Sequence, residues 1–188
     1  MYAFYINWAS SISFFAVYDI NSVIFKNNVI NSFFFLGSFL LIFATVGIIL
    51  ASFNDIIWDL WWMSIFGILS IFFLILLVYT LFFALPFNET YIINNGSPKV
   101  YRNGLYALCR HPGVLWFAGF YFFLWLTLRI PMLLWAGIIF CSCNFLYIVF
   151  QDRWTFIHAF EDYNDYKKST PFIIPNFKSI KRCLLTLK

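Results

Sequence analysis

The chain has 188 residues, of which 63% are apolar and only 11% charged, with 27 Phe, 11 Tyr and 8 Trp. A soluble domain needs about a quarter of its residues charged to cover its surface, which excludes a soluble all-α protein here. The net charge of +4 sits on bases that flank apolar runs, so orientation in a bilayer and contact with anionic lipid account for it, and nucleic acid is not an expected partner.

No Asp, Glu, Lys, Arg or His lies between Lys26 and Asp55, between Asp59 and Glu89, from Pro112 to Leu128, or from Ile130 to Gln151. Each gap is near or above the roughly 17 to 25 residues that cross about 30 Å of hydrocarbon as a helix. The expected fold is therefore an all-α, polytopic membrane protein with four clear spans.

In chain order, residues 2–20 are apolar but interrupted by Asn7, Ser10, Ser11 and Ser13, and they end at Asp19. They lie in the interface or dip into the membrane, with a fifth span as the alternative. The first span covers about 32–52, and a polar turn through Asn54, Asp55 and Asp59 follows. The second covers about 60–85, opened by an interfacial belt of Trp58, Trp61 and Trp62. Residues 87–111 form the longest polar connection, with Asn94-Asn95-Gly96 marking a turn.

A third span covers about 112–128 and a fourth about 131–151. The link Arg129-Ile130-Pro131 is so short that these two form an antiparallel hairpin. Proline suits the first turn of the returning helix, where its missing N–H costs nothing. From 152 to 168, Asp152, Phe156, Phe160, Tyr163 and Tyr166 share one side of a helix, while His158, Glu161, Asp162 and Asp165 lie opposite. This predicts one amphipathic helix along the cytoplasmic ends of the spans. Thr170-Pro171 stops it, and Pro175 keeps the next stretch extended. The chain thus divides into membrane segments at 1–98, a core at 99–175 and a basic tail at 176–188.

Residues 1–98 carry one base, Lys26, and the remaining 90 carry eleven. One set of connections holds Lys26, Lys99, Arg102, Arg110, Arg153 and all later bases, and the other holds Arg129 beside Asp55 and Asp59. The positive-inside bias puts the first set, and the C-terminus, in the cytoplasm. Cys109, Cys141, Cys143 and Cys183 form neither a disulfide framework nor a metal knuckle, so no metal site is expected. The N-terminus has no basic stretch followed by a small-residue cleavage site, so a removed signal peptide is not expected.

Chemistry concentrates in Gly104-Leu-Tyr-Ala-Leu-Cys-Arg110-His111-Pro112-Gly113, just before the third span. Pro112 and Gly113 fall in a first helical turn, where backbone N–H groups lack intrahelical acceptors. Those donors, the helix dipole, Arg110 and His111 converge where a carboxylate or phosphate would be held. Two interfacial anchors are an equal reading of Arg110 and His111. Tyr106 either packs beneath this loop or lines a pocket. His158 is expected to pair with Asp162 on the solvent side.

This segment resembles the isoprenylcysteine carboxyl methyltransferase family and the related phospholipid N-methyltransferases. Their G-x-Y-x-x-x-R-H-P-x-Y segment is matched by Gly104, Tyr106, Arg110, His111 and Pro112. Their tight hairpin, acidic helix start and F-G-x-x-Y-x-x-Y segment correspond to Arg129-Ile-Pro131, Asp152, Phe160, Tyr163 and Tyr166. Their closing basic stretch and P-x-x-I-P correspond to Lys167, Lys168, Pro171 and Pro175. The resemblance covers about residues 100 to 175, with departures at Val114, Trp116, Arg153 and Glu161.

The resemblance implies S-adenosyl-L-methionine as cofactor, bound by Tyr106, Arg110, His111, Pro112, Gly113, Tyr163 and Tyr166. A lipid or lipid-modified acceptor, carboxylate or amine, would enter laterally from the bilayer. Asp152 would orient that acceptor or take an amine proton, or else it caps the amphipathic helix. A nicotinamide-dependent reductase of the sterol-reductase type and a non-catalytic membrane-binding protein are the alternatives. The tail bases Lys178, Lys181, Arg182 and Lys188 are expected against anionic headgroups.

Overall fold

The computed structural model describes residues 13–84 and 99–187. The Asn94-Asn95-Gly96 turn, residues 2–12, the end of the second span past residue 84, and Lys188 lie outside the described residues. All regular structure within them is helical. We number the helices α1 (Ser13–Phe25), α2 (Asn28–Ala51), α3 (Leu60–Phe82), α4 (Leu105–Leu108), α5 (Pro112–Leu128), α6 (Pro131–Ala159), α7 (Tyr163–Ser169) and α8 (Phe177–Thr186).

Three of these, α2, α3 and α6, are long and apolar enough to cross a membrane, while α5 is a shorter apolar helix of 17 residues. Phe35, Phe39, Ile42 and Phe43 on α2, and Trp61, Ile65, Ile68 and Ile75 on α3, are exposed. Such continuous apolar faces need hydrocarbon around them, and a helix is a form whose backbone polar groups tolerate it.

α3 lies antiparallel to α5 from one end to the other: Leu77 faces Gly113, Phe73 meets Gly119, and Gly67 faces Thr127. Gly119 permits the closest approach, since a Cβ there would lie 2.3 Å from Phe73 Cδ1. Small residues of this kind let helices close on one another by dispersion, the main attraction between helices in lipid. The Trp62 indole N–H donates to the Leu126 carbonyl at 2.7 Å and ties the far ends of this pair together. Ala44, Ile48, Phe117, Tyr121, Leu133, Ala136 and Phe140 form the core among α2, α5 and α6. There Thr45 and Tyr121 share a 2.6 Å hydrogen bond.

The α5–α6 hairpin forms as expected. Arg129 ends α5 in the left-handed conformation (φ 55°), Ile130 is fully buried, and Pro131 opens α6. Arg129 stands over the Trp62 ring at 4.0 Å, a cation–π contact that offsets the strain of a non-glycine residue there.

Two expectations need correction. The amphipathic helix over 152–168 is not one element. α6 runs on through a π turn at Gln151–Thr155 to Ala159, the chain is extended at Phe160, and α7 begins only at Tyr163. The break is made from a distance: Asp162 accepts the Val100 N–H at 2.9 Å and pairs with Arg102 at 2.6 Å. For the same reason His158 does not pair with Asp162; its Nδ1 lies 2.7 Å from the Trp154 carbonyl oxygen. The basic tail is largely the helix α8, opened by a capping box of Asn176 and Ser179.

α1 packs beside the start of α2, with Phe14 on Phe33 and Phe15 on Phe34. The buried Asn21 fixes the bend between them: its amide donates to the Asn27 carbonyl (2.9 Å) and to Asn31 Oδ1 (3.0 Å).

Candidate functional site

The antiparallel order gives the bundle two unlike ends. One holds the Asp55–Asp59 turn and Arg129. The other gathers the Arg110–His111 segment, the extension of α6, α7 and the strap of residues 170–175. α6 spans 29 residues, about 43 Å at 1.5 Å per residue, against about 30 Å of hydrocarbon. Its last turns therefore project beyond Phe150, and Asp152 sits on that projection within the π turn. Such turns reorient one side chain at the cost of regular backbone bonding, and they recur at functional sites.

Asp152 is the centre of the arrangement. Its Oδ1 accepts the Tyr163 hydroxyl at 2.6 Å and lies 3.0 Å from Arg110 Nη1 and 3.4 Å from His111 Nε2. Its Oδ2 lies 3.0 Å from Lys167 Nζ, which also donates to the Asp152 backbone carbonyl at 3.2 Å. Burial raises the carboxyl's proton affinity, but hydrogen bonds from His111, Tyr163 and Lys167 and the Arg110 charge outweigh it and hold the pKa well below the carboxylate range. Asp152 is thus an anion. Tyr163, buried and facing that anion, is raised and stays protonated as a donor.

His111 is nearly closed to solvent, stacked against Phe156 (centroids 5.7 Å, 15° between planes) and edge-on to Phe172. Burial lowers its pKa against the pull of Asp152, with Arg110 and Lys167 adding to the lowering. Arg110 is the less satisfied partner. Its Nε and Nη1 are buried without a hydrogen-bond acceptor, because the 3.0 Å approach of Nη1 to Asp152 is not aligned for a hydrogen bond. Buried N–H groups of a guanidinium left unpaired cost free energy, so they mark where an anionic acceptor fits.

The remaining sequence-predicted residues divide into two groups. Pro112 is fully buried at the first position of α5, and Gly113 turns toward Leu77 of α3. The hydroxyl of Tyr166 donates to the Tyr106 carbonyl at 2.6 Å, and that of Tyr106 donates to the Thr80 carbonyl at 3.1 Å. These two tyrosines form a knot beside the cluster that fixes α7 to α4 and α3. The strap covers the segment before α5: Arg110 N–H donates to the Pro171 carbonyl at 2.9 Å and His111 N–H to that of Phe172 at 3.3 Å. The Arg110 and His111 amides, which precede the first turn of α5, are thus spent on the strap, and within that turn the Val114 N–H donates to the His111 carbonyl at 3.2 Å.

Sequence reasoning did not place Lys167 or Phe172 at the site. For Lys167 a signal was present, since it follows Tyr163 by four residues and so shares its helical face. For Phe172, whose ring lies 5.3 Å from the Arg110 guanidinium carbon, an extended strap carries no periodic signal. Gly104 is the other local requirement: its φ of 58° with ψ of −132° is open to glycine and strained for other residues. Cys109, beside the cluster, is fully buried and its thiol is pushed up to about 12, so it is no nucleophile.

Among the described residues a cavity of about 200 Å³ lies on the far side of α4, lined by Tyr79, Phe83, Tyr101, Gly104, Thr186 and Leu187. None of the Asp152 cluster borders it. No group of His, Cys, Asp and Glu among the described residues is arranged to hold a metal ion. No protein-family model, curated protein or solved structure matches the chain.

Proposed function

We propose that the chain is an S-adenosyl-L-methionine-dependent methyltransferase acting on a membrane-resident lipidic acceptor, with the Asp152 cluster holding the amino-acid end of the cofactor. The observation that carries this reading is the meeting of the Arg110-His111-Pro112 segment with Asp152 and Tyr163, residues brought from three separate elements. The residues fit the group on a specific point: the buried Arg110 N–H groups lack an acceptor, and a carboxylate is the acceptor they match. Arg110 and Lys167 together also carry one more positive charge than Asp152 neutralises.

In this reading Arg110 takes the carboxylate, Asp152 accepts from the ammonium, and Tyr163 and Lys167 hold Asp152 ionised and in place. His111, kept toward its neutral form by burial, closes the site with Phe156 and Phe172 and excludes water. The bound cofactor supplies a sulfonium methyl already activated for in-line transfer, so the protein's contribution is positioning rather than acid or base chemistry. The acceptor, a carboxylate or an amine on a lipid, reaches this end of the bundle from the surrounding bilayer.

We also propose that α5 crosses the membrane as the partner of α6, which makes four spans and places the basic, site-bearing end in the cytoplasm. The distribution of bases supports that orientation. A second reading, a non-catalytic membrane-binding protein in which Asp152 is a structural clamp, is favoured by the four groups already gathered on its carboxylate.

The experiment is equilibrium titration of the detergent-purified chain with labelled S-adenosylmethionine, with a reduced dinucleotide phosphate as competitor. The expected result is saturable binding that Arg110→Ala abolishes and the dinucleotide does not displace. Absence of binding to the unaltered, folded chain favours the clamp, and displacement by the dinucleotide favours a reductase.

A further inference from the structure

α8 divides by angle, at about 100° per residue, into three sectors of different chemistry. Ser179 and Cys183 are buried on the side that docks against α4. Lys178, Lys181 and Arg182 occupy a second sector. The third is apolar and has no protein cover: Phe177 is 92% exposed and Leu184 69%, with Ile180 and Leu187 to one side of them also exposed, while Leu185, likewise exposed, falls among the bases. Ile174, just before the helix, is 82% exposed and extends the apolar surface.

The helix is fixed at a definite depth. The Gly104 N–H donates to the Thr186 hydroxyl at 2.9 Å, and Thr186 and Leu187 share a cavity wall with Tyr79 and Phe83 at the end of α3. The C-terminal end of α8 therefore lies beside the point where a membrane-crossing helix leaves its apolar run.

We propose that α8 is an in-plane docking helix for the anionic headgroup layer of the bilayer in which the chain sits. Phe177, Ile180 and Leu184 enter the boundary between headgroups and acyl chains, and Lys178 and Lys181 meet lipid phosphates and carboxylates. The combination of a buried apolar sector and flanking bases is what holds a helix in the interface, and each contribution alone is weak. Charge selects the occupant: a neutral protein groove would satisfy the apolar sector but not the bases beside it. Docking also bears on the neighbouring elements, because Arg182 donates to the Ser169 carbonyl at the end of α7 and Thr186 holds Gly104 at the start of α4.

The test places an environment-sensitive dye on Leu184→Cys in the full chain, reconstituted in phosphatidylcholine vesicles with and without phosphatidylserine. The unvaried chain, carried through the same labelling, gives the background from Cys109, Cys141, Cys143 and Cys183. Blue-shifted emission and quenching by nitroxide-bearing lipid are expected, both greater with phosphatidylserine. Lys178→Glu with Lys181→Glu removes that increase, and so does about 1 M salt, where the Debye length falls to about 3 Å. Water-like emission in both vesicles overturns the proposal, as does equal quenching in the two lipids. Shielding from both nitroxide lipid and aqueous iodide also overturns it, since a protein surface would then be the cover.

Discussion

Replacing Asp152 by Asn leaves Arg110 and Lys167 facing each other without a counter-charge, and Arg110 is almost wholly buried. Removing one partner of a buried ion pair costs about 3 to 5 kcal/mol; because Lys167 is partly exposed, the lower figure is expected. Tyr163→Phe removes one hydrogen bond to a charged acceptor, about 1.5 to 3 kcal/mol. Denaturant unfolding in detergent should therefore rank Asp152→Asn as the more damaging. Equal losses would mean that charge is not what joins α5, α6 and α7. The pH dependence follows from His111. Its folded pKa lies below the roughly 6.5 of an unfolded histidine, so between those values the unfolded chain binds the extra proton and stability falls as pH drops. Asp152 is depressed in the folded chain, so its contribution holds above about pH 4 and is lost only at lower pH. From about pH 8 to 5 His111 should contribute a fall in the unfolding midpoint, and His111→Gln should remove that contribution. An unchanged slope in the variant would show that another group sets it.

At the scale of elements, the contact of α3 with α5 rests on Gly119. A Cβ there would lie 2.3, 2.6 and 2.7 Å from three atoms of the Phe73 ring. That ring is itself held between Phe123 and Trp116, at 5.3 and 6.1 Å between centroids. Gly119→Ala should cost about 1 to 3 kcal/mol as overpacking, and Phe73→Leu in the same chain should return part of it. Additive losses in the double variant would remove the contact from the account. This helix pair also shows what a sequence discloses. The uncharged runs marked α2, α3, α5 and α6 because hydrophobic length is a one-dimensional property, and Arg129-Ile130-Pro131 marked the hairpin because a three-residue link leaves no other route. The break at Phe160 was hidden because Asp162 answers to Val100 and Arg102, some sixty positions earlier. The helical character of the tail went unread because its bases drew attention away from the apolar spacing of Phe177, Ile180 and Leu184.

For the whole molecule the decisive question is which end of the bundle faces which compartment. Arg110, His111 and Asp152 were each legible as candidates, and their meeting was foreseeable only by assuming that the chain folds back beyond the apolar part of α6. The bundle places Asp55, Asp59 and Arg129 at one end, and Lys99, Arg102, Arg110, Arg153 and the later bases among the described residues at the other. Basic residues near span ends resist translocation, whereas acidic ones contribute little to orientation. Asp55 lies on an exposed turn and Asn164 is exposed on α7, so each accepts a cysteine with little disturbance. In intact cells a membrane-impermeant maleimide should modify Asp55→Cys and spare Asn164→Cys, which should react only after permeabilisation. Cys109 and Cys183 are buried, and the unvaried chain sets the background for them and for Cys141 and Cys143. The reverse pattern would put the Arg110–Asp152 cluster on the outside, away from any cytoplasmic supply of S-adenosylmethionine, and would remove the methyltransferase reading while leaving the geometry of the cluster intact.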